Sequence, residues 1–177
     1  MVDAAAASFG GLDIVVSNAG LRRQTSFLDM SFAEWREILS VALDGAFILA
    51  RAAVPLMIPR GGGALVFMSG ISTHVGTPNR AHVSASKAGL EGLSRALAID
   101  LAQYRITSNC VAPGSVDTVR GPTAGGPAPT SLTDAGIPLR RKATVAEISA
   151  AVRYLAGPDG GYVTGQVLHV NGGVFLT

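Results

Sequence analysis

Lys87 lies in HVSASKAGLEGLSRAL, residues 82–97, a stretch whose apolar spacing predicts an amphipathic helix. A lysine so placed does acid–base work when an ionisable side chain stands one helical turn before it, because residues four apart share a face. The residue four back is Val83, which has no proton to give. Lys87 alone is still a candidate catalytic group: a desolvated amine acts as a general base or forms a Schiff base with a carbonyl. Ser84 and His82 are secondary candidates, and Ser72 and His74 add polar groups nearby. His82 falls about 100° around the helix from Val83, which predicts a surface histidine. Ser72 and His74 fall in a predicted solvent-exposed loop. No triad geometry follows from these spacings, and no metal site is expected.

The elements that must position these groups alternate between short apolar strands and amphipathic helices, the pattern of an α/β protein with a parallel sheet. The apolar run LDIVVS, opened by Leu12 and closed by Ser17, is a strand ending in the small-residue turn Asn18-Ala19-Gly20. A long helix follows to about Met57, with Ser31 as N-cap and Glu34 at the capping-box position. GGGALVFMSG is a second strand, apolar throughout as a strand covered on both faces should be. The Lys87 helix then runs to about Tyr104, ahead of a third strand, ITSNCVAPG. Residues 113–135 carry Gly, Pro, Thr and Ser without apolar period and predict a mobile lid. Thr144 and Glu147 form a second capping box, opening TVAEISAAVRYLAG, and GQVLHVNGG closes with a fourth strand. Right-handed crossovers are expected throughout. The whole reads as one domain over residues 1–177. A first strand this apolar, left at an edge, would invite pairing with another chain.

Composition narrows the function classes. Apolar residues make up 48% of the 177 and charged residues 15%, so some apolar surface is expected to be buried against another chain. The net charge is +2 with scattered basic residues, and the densest, LRRK at 139–142 and LRR at 21–23, lack the interleaved aromatics of a nucleic-acid surface. The apolar tract 41–59 is broken by Asp44 and Arg51, which argues against a membrane span. The N-terminal stretch does not have the pattern of a signal peptide. The one cysteine, Cys110, lies in an apolar strand as a buried, reduced thiol, and a cytoplasmic location is expected.

SNAG, SASK, NCVAPGSVDT and YVTGQVLHVNGG, in this order and at these separations, resemble the short-chain dehydrogenase/reductase family over essentially the whole chain. The resemblance implies a Rossmann-like, doubly wound parallel sheet of seven strands that binds NAD or NADP at the strands' carboxyl ends. Met1 matches a point already in the family's third helix. The expectation is therefore a partial sheet of about four strands, without the first three and without the glycine-rich dinucleotide loop. By resemblance, Asn18, Ala19 and Gly20 match the turn beside the adenosine. Pro113, Gly114 and Thr118 match the nicotinamide contacts, and Lys87 matches the lysine that holds the nicotinamide ribose. Turn chemistry alone also accounts for Asn18, Gly20, Pro113 and Gly114.

The family's proton-transfer chemistry rests on an asparagine, a serine, a tyrosine and the lysine. At the matching positions this chain has Ala42, Gly70, Val83 and Lys87. Its three tyrosines, Tyr104, Tyr154 and Tyr162, all follow Lys87, and Tyr104 is roughly 25 Å farther along the same helix. Three readings remain open. One is an oxidoreductase-like chain that is not redox-competent alone and for which no cofactor is expected, structural within a homo-oligomer. Another is a non-redox isomerase, lyase or cyclase acting on a small organic substrate. The last is an oxidoreductase completed in trans by a partner chain that pairs with the strand between Leu12 and Ser17. Helix faces carrying Leu39, Leu43 and Phe47, and Leu90, Leu93, Leu97 and Leu101, suit a four-helix interface between subunits.

Overall fold

A computed structural model of the chain describes residues 1–119 and 133–177. Most of the expected lid therefore lies outside the described residues. Four parallel strands, β1 (Ile14–Ser17), β2 (Gly63–Met68), β3 (Ile106–Pro113) and β4 (Val167–Val170), form one sheet in the order β1-β2-β3-β4. Val15 faces Leu65, Phe67 faces Cys110, and Ala112 faces His169 across the ladders. Because all four strands run the same way, Asn18, Ser69, Gly114 and Asn171 follow their carboxyl ends at one edge of the sheet.

Helix α1 (Val2–Phe9) precedes the sheet, and α2 (Phe32–Leu39) begins at Ser31, whose hydroxyl accepts from the Glu34 N–H. The expected single helix to Met57 is interrupted. Residues Ser40–Asp44 form a π-helical turn in which the Gly45 N–H donates to the Ser40 carbonyl, five residues back, before α3 (Gly45–Met57) resumes the α pitch. Alanines 42, 46, 50 and 53 are buried along this run with Ile38 and Met57. Their small side chains let the helix lie close to the sheet. By length and composition Phe32–Arg60 would suffice to cross a membrane, and its buried stripe packs on the sheet.

After β2 come the short α4 (Ser72–Val75) and the long α5 (Ala81–Leu101). Helices α3 and α5 cover the face that carries Leu65, Phe67 and Cys110. Helix α6 (Val145–Ala156) covers the opposite face, where Ile148 and Leu155 pack on Val66 and Val111. Strand order advances in one direction while the connecting helix changes face, so the β3–α6–β4 crossover has the opposite hand to the two before it. The expectation of right-handed crossovers throughout is thus corrected: the two faces each need cover, and α5 already occupies the first. The capping box at α6 is complete, with Thr144 accepting from the Glu147 N–H and Glu147 accepting from the Thr144 N–H.

Strand β1 is an edge strand with unequal faces. Val15 is buried under α3, whereas Ile14 and Val16, on the α6 face, are 49% and 42% exposed. Of the helix leucines assigned to an interface, Leu90 and Leu101 are buried on the chain's own sheet. Phe47 is exposed and, with Leu97, Leu101 and Val54, borders a small apolar cleft between α3 and α5 of about 140 Å³.

Candidate functional site

Lys87 projects from α5 toward the end of β2, where its Nζ donates to the Met68 carbonyl at 2.6 Å. Burial lowers its pKa, because the ammonium loses more hydration than one carbonyl restores. The Asn18-Ala19-Gly20 turn passes beside it: a Cβ built on Gly20 would stand 3.4 Å from Nζ. Lys87 and the turn after β1 are thus brought together.

The remaining matched positions hold no proton-transfer group. Val83 and Ala42 are buried apolar side chains. Gly70 presents no side chain, and a Cβ there would find only the Ser72 hydroxyl, 4.0 Å away. Ser69 does not substitute for a serine at 70, since it points to the α5 face and donates to Glu91 at 2.6 Å. All three tyrosines are surface residues, from 39% exposure at Tyr104 to full exposure at Tyr162.

Two histidine expectations are overturned. His82 is fully buried, its Nε2 3.1 Å from Glu34 Oε1 and its Nδ1 accepting from the Val83 N–H. Glu34 also accepts from the Thr25 hydroxyl, so its carboxylate ties α2 to α5 and does not close a capping box on Ser31. The helical wheel placed His82 correctly relative to Val83. What it lacked was α2, which packs over the start of α5 and covers that side as well. His74 and Ser72 lie on α4, half-buried, instead of in an exposed loop. The Ser72 carbonyl accepts from the Ser84 hydroxyl at 3.3 Å, which occupies Ser84 in holding α4 to α5.

His74 belongs to a cluster that sequence reasoning missed. Glu91, one turn after Lys87, is buried, and its Oε1 accepts from Ser69, from Thr73 at 3.2 Å and meets His74 Nε2 at 3.0 Å. The His74 ring stacks on Phe175 and stands edge-on to His169, whose pKa is lowered by burial and by the neighbouring His74. Asn171 holds the tail that carries Phe175, donating to its carbonyl and accepting from the Gly173 N–H. The available signal was an acid at the i+4 position from Lys87 on the sheet-facing stripe of α5.

Asn18, Pro113, Gly114 and Thr118 meet on the wall of one cavity of about 710 Å³ at the carboxyl ends of β1, β2 and β3. Ala19, Gly20 and Lys87 stand outside its lining. The cavity opens toward α6, whose Ile148, Ser149, Val152 and Arg153 form the other wall. The matched residues fit one end of a nicotinamide cofactor, although Gly114 has a further, purely structural reason: a Cβ there would lie 2.8 Å from the Asn171 Cα. Asn109 in the NCVAPG stretch is likewise structural, donating to the Val163 carbonyl and accepting from the Gln166 N–H. Cys110 is buried under α5 with its thiol pushed up to about 12 by desolvation, so it is not a nucleophile. Among the described residues no three His, Cys, Asp or Glu side chains converge as a metal site.

This arrangement has many relatives. The family profile for enoyl-(acyl carrier protein) reductase matches residues 1–175. Nodulation protein G of Rhizobium sp. (strain N33) is 38% identical over 172 residues, covering 97% of this chain and 70% of that protein. Acetoacetyl-CoA reductase of Allochromatium vinosum is 37% identical over 167 residues, covering 94% and 68%. The crystal structure of acetoin dehydrogenase YohF from Salmonella typhimurium superposes with a TM-score of 0.87 at 33% identity, over 99% of this chain and 70% of that one. With its parallel sheet, its Asn18–Gly20 turn beside Lys87 and these relatives, the chain belongs to the short-chain dehydrogenase/reductase family.

Proposed function

We propose that this chain keeps the family's fold and cleft but is not a redox-competent oxidoreductase by itself. The observation that carries this is Val83, a buried apolar side chain one helical turn before Lys87, at the position that by resemblance matches the family's tyrosine. Gly70 and Ala42 remove the groups that would polarise the carbonyl and help hold a water. A positioned general acid is typically worth about 10² to 10⁴ in rate, so its loss alone slows carbonyl reduction by about that factor. Bound NAD or NADP would supply hydride, and Pro113, Gly114 and Thr118 would hold its nicotinamide end.

The test is NADPH and NADH oxidation against a panel of small ketones and β-ketoacyl thioesters, for the chain and for Val83→Tyr combined with Gly70→Ser. No turnover by the chain is expected. Space at Gly70 accommodates the serine hydroxyl. Turnover by the unaltered chain would refute the reading, and turnover gained only by the double variant would locate the defect at these two positions.

A non-redox enzyme that uses Lys87 is favoured by one specific observation, the lowered pKa of this residue, which leaves a larger neutral fraction for base or Schiff-base chemistry. Borohydride trapping with candidate carbonyl compounds, lost in Lys87→Ala, would identify it. We further infer self-association through the exposed part of α3 and α5, and a reducing, cytoplasmic setting in keeping with the single buried thiol.

A further inference from the structure

Strand β4 sends Leu168 and Val170 to the α6 face and His169 to the opposite one, against His74 of α4. The His169 ring meets His74 edge-on with centroids 4.5 Å apart, and meets Phe175 at 5.0 Å. Its Nδ1 is buried and has no hydrogen-bond partner among the described residues. A neutral imidazole tolerates this, because one of its nitrogens carries no proton. An imidazolium does not, since both nitrogens then donate and one of them finds neither water nor an acceptor. The groups facing His169 are His74 of α4 and Glu91 of α5, whose second oxygen has Arg95 at 3.7 Å. Ala112 of β3, Phe175, and Pro138 and Leu139 ahead of α6 supply no charge. Burial, then His74, lowers the His169 pKa, and Glu91 opposes them.

The segment that closes over these rings is lightly held. Asn171 bonds within it, accepting from the Gly173 N–H and donating to the Phe175 carbonyl. Gly172 and Gly173 turn the chain with φ of 66° and 90°. Among the described residues its polar tie to the rest of the chain is the Gly172 carbonyl, which accepts from the Leu139 N–H at 3.1 Å. Its aromatic tie is Phe175, stacked on His74 at 4.9 Å. A segment with so few ties opens locally without unfolding the sheet beneath it.

We propose that residues 171–175 form a pH-operated latch, closed over His74 and His169 while His169 is neutral and released when His169 takes up a proton. In the open state the imidazolium is hydrated. The proton thus binds the open state more tightly and shifts the population toward it. Between the lowered value and 6.5 the closed state holds fewer protons than the open one. Closure therefore strengthens as pH rises through that window and weakens as pH falls. Release uncovers His74 and Thr73 of α4, the helix after Gly70, and admits water to the buried Glu91 behind them. The latch is independent of whether the cleft supports redox chemistry.

The test is electron paramagnetic resonance of a nitroxide on Leu176→Cys, followed from about pH 8 to about pH 5 alongside far-ultraviolet circular dichroism. Leu176 is exposed and follows Phe175, and Cys110, buried with its thiol pushed up to about 12, stays unlabelled. A mobile component is expected to grow on acidification while the dichroism stays unchanged. The open-to-closed ratio rises by at most about 30-fold over that range, the limit for an open-state value of 6.5. His169→Phe and His169→Gln are each expected to keep the label immobile at both ends of the range, and Phe175→Ala to free it at both. A transition that survives in the His169 variants, a label indifferent to pH, or one still immobile in Phe175→Ala would each overturn the latch. Mobility that appears only with loss of the dichroism would overturn it too, as general acid unfolding.

Discussion

Position 83 carries a side chain that ends in two methyl groups, one helical turn before Lys87. The Lys87 ammonium donates a hydrogen bond to the Met68 carbonyl and loses hydration in its buried site. Its pKa is lowered, so between that value and 10.5 the unfolded chain holds more protons than the folded one. Stability contributed at this residue therefore rises with pH across that window and is lowest below it. The chain has only two lysines, Lys87 and Lys142, which makes the titration easy to follow. In a ¹³C-methyl-free, lysine-labelled NMR titration, the Lys87 Cε midpoint is expected below 10.5. A midpoint at or above the ordinary value would show that the amine is solvated.

Among the elements, α6 carries the clearest local instruction. Thr144 and Glu147 close a reciprocal cap, and Arg141 pairs with Glu147 at 2.6 Å, holding its carboxyl near 2 chiefly through that hydrogen bond. Because the folded value is depressed, the cap's charged contribution is complete above the ordinary glutamate range and is lost as pH falls toward about 2. Thr144→Ala is expected to cost about 1 kcal/mol in urea unfolding at neutral pH. An unchanged midpoint would mean that packing on Val66 and Val111 alone fixes the helix start. The first helical segment shows the contrary case. Ser31 caps α2 as its position predicts, yet Glu34 is drawn off to Thr25 and His82, because a buried imidazole is a better partner than a solvated backbone N–H.

For the whole molecule the unequal cover of the sheet is the governing fact. The α3–α5 face is closed except where Phe47, Val54, Leu97 and Leu101 border their cleft, and the α6 face is open at β1. Exposed apolar surface of this kind favours association. Sedimentation equilibrium is expected to show a reversible homo-oligomer, with Phe47→Asp shifting it toward monomer. A monomer at high concentration, indifferent to that change, would remove the interface. If the edge of β1 carries the contact instead, Phe47→Asp will leave the oligomer intact and a charge at Ile14 will disrupt it.

The α/β class, all four strands and both N-caps could be read from the sequence, because each is a local matter of residue type and spacing. Val83 is apolar in any fold, and Thr144 caps whatever helix follows it. Other features depended on which elements meet. His82 is buried only because α2 lies over α5, and Glu91 is satisfied only because β2, α4 and α5 bring Ser69, Thr73 and His74 to one point. The opposite hand of the last crossover arises from competition between two helices for one face of the sheet. Arg22 and Arg153, far apart in sequence, share a cleft only because the strand ends and α6 bring them there. Spacing along a chain fixes what a segment can be, and the tertiary contacts fix what each side chain finds beside it.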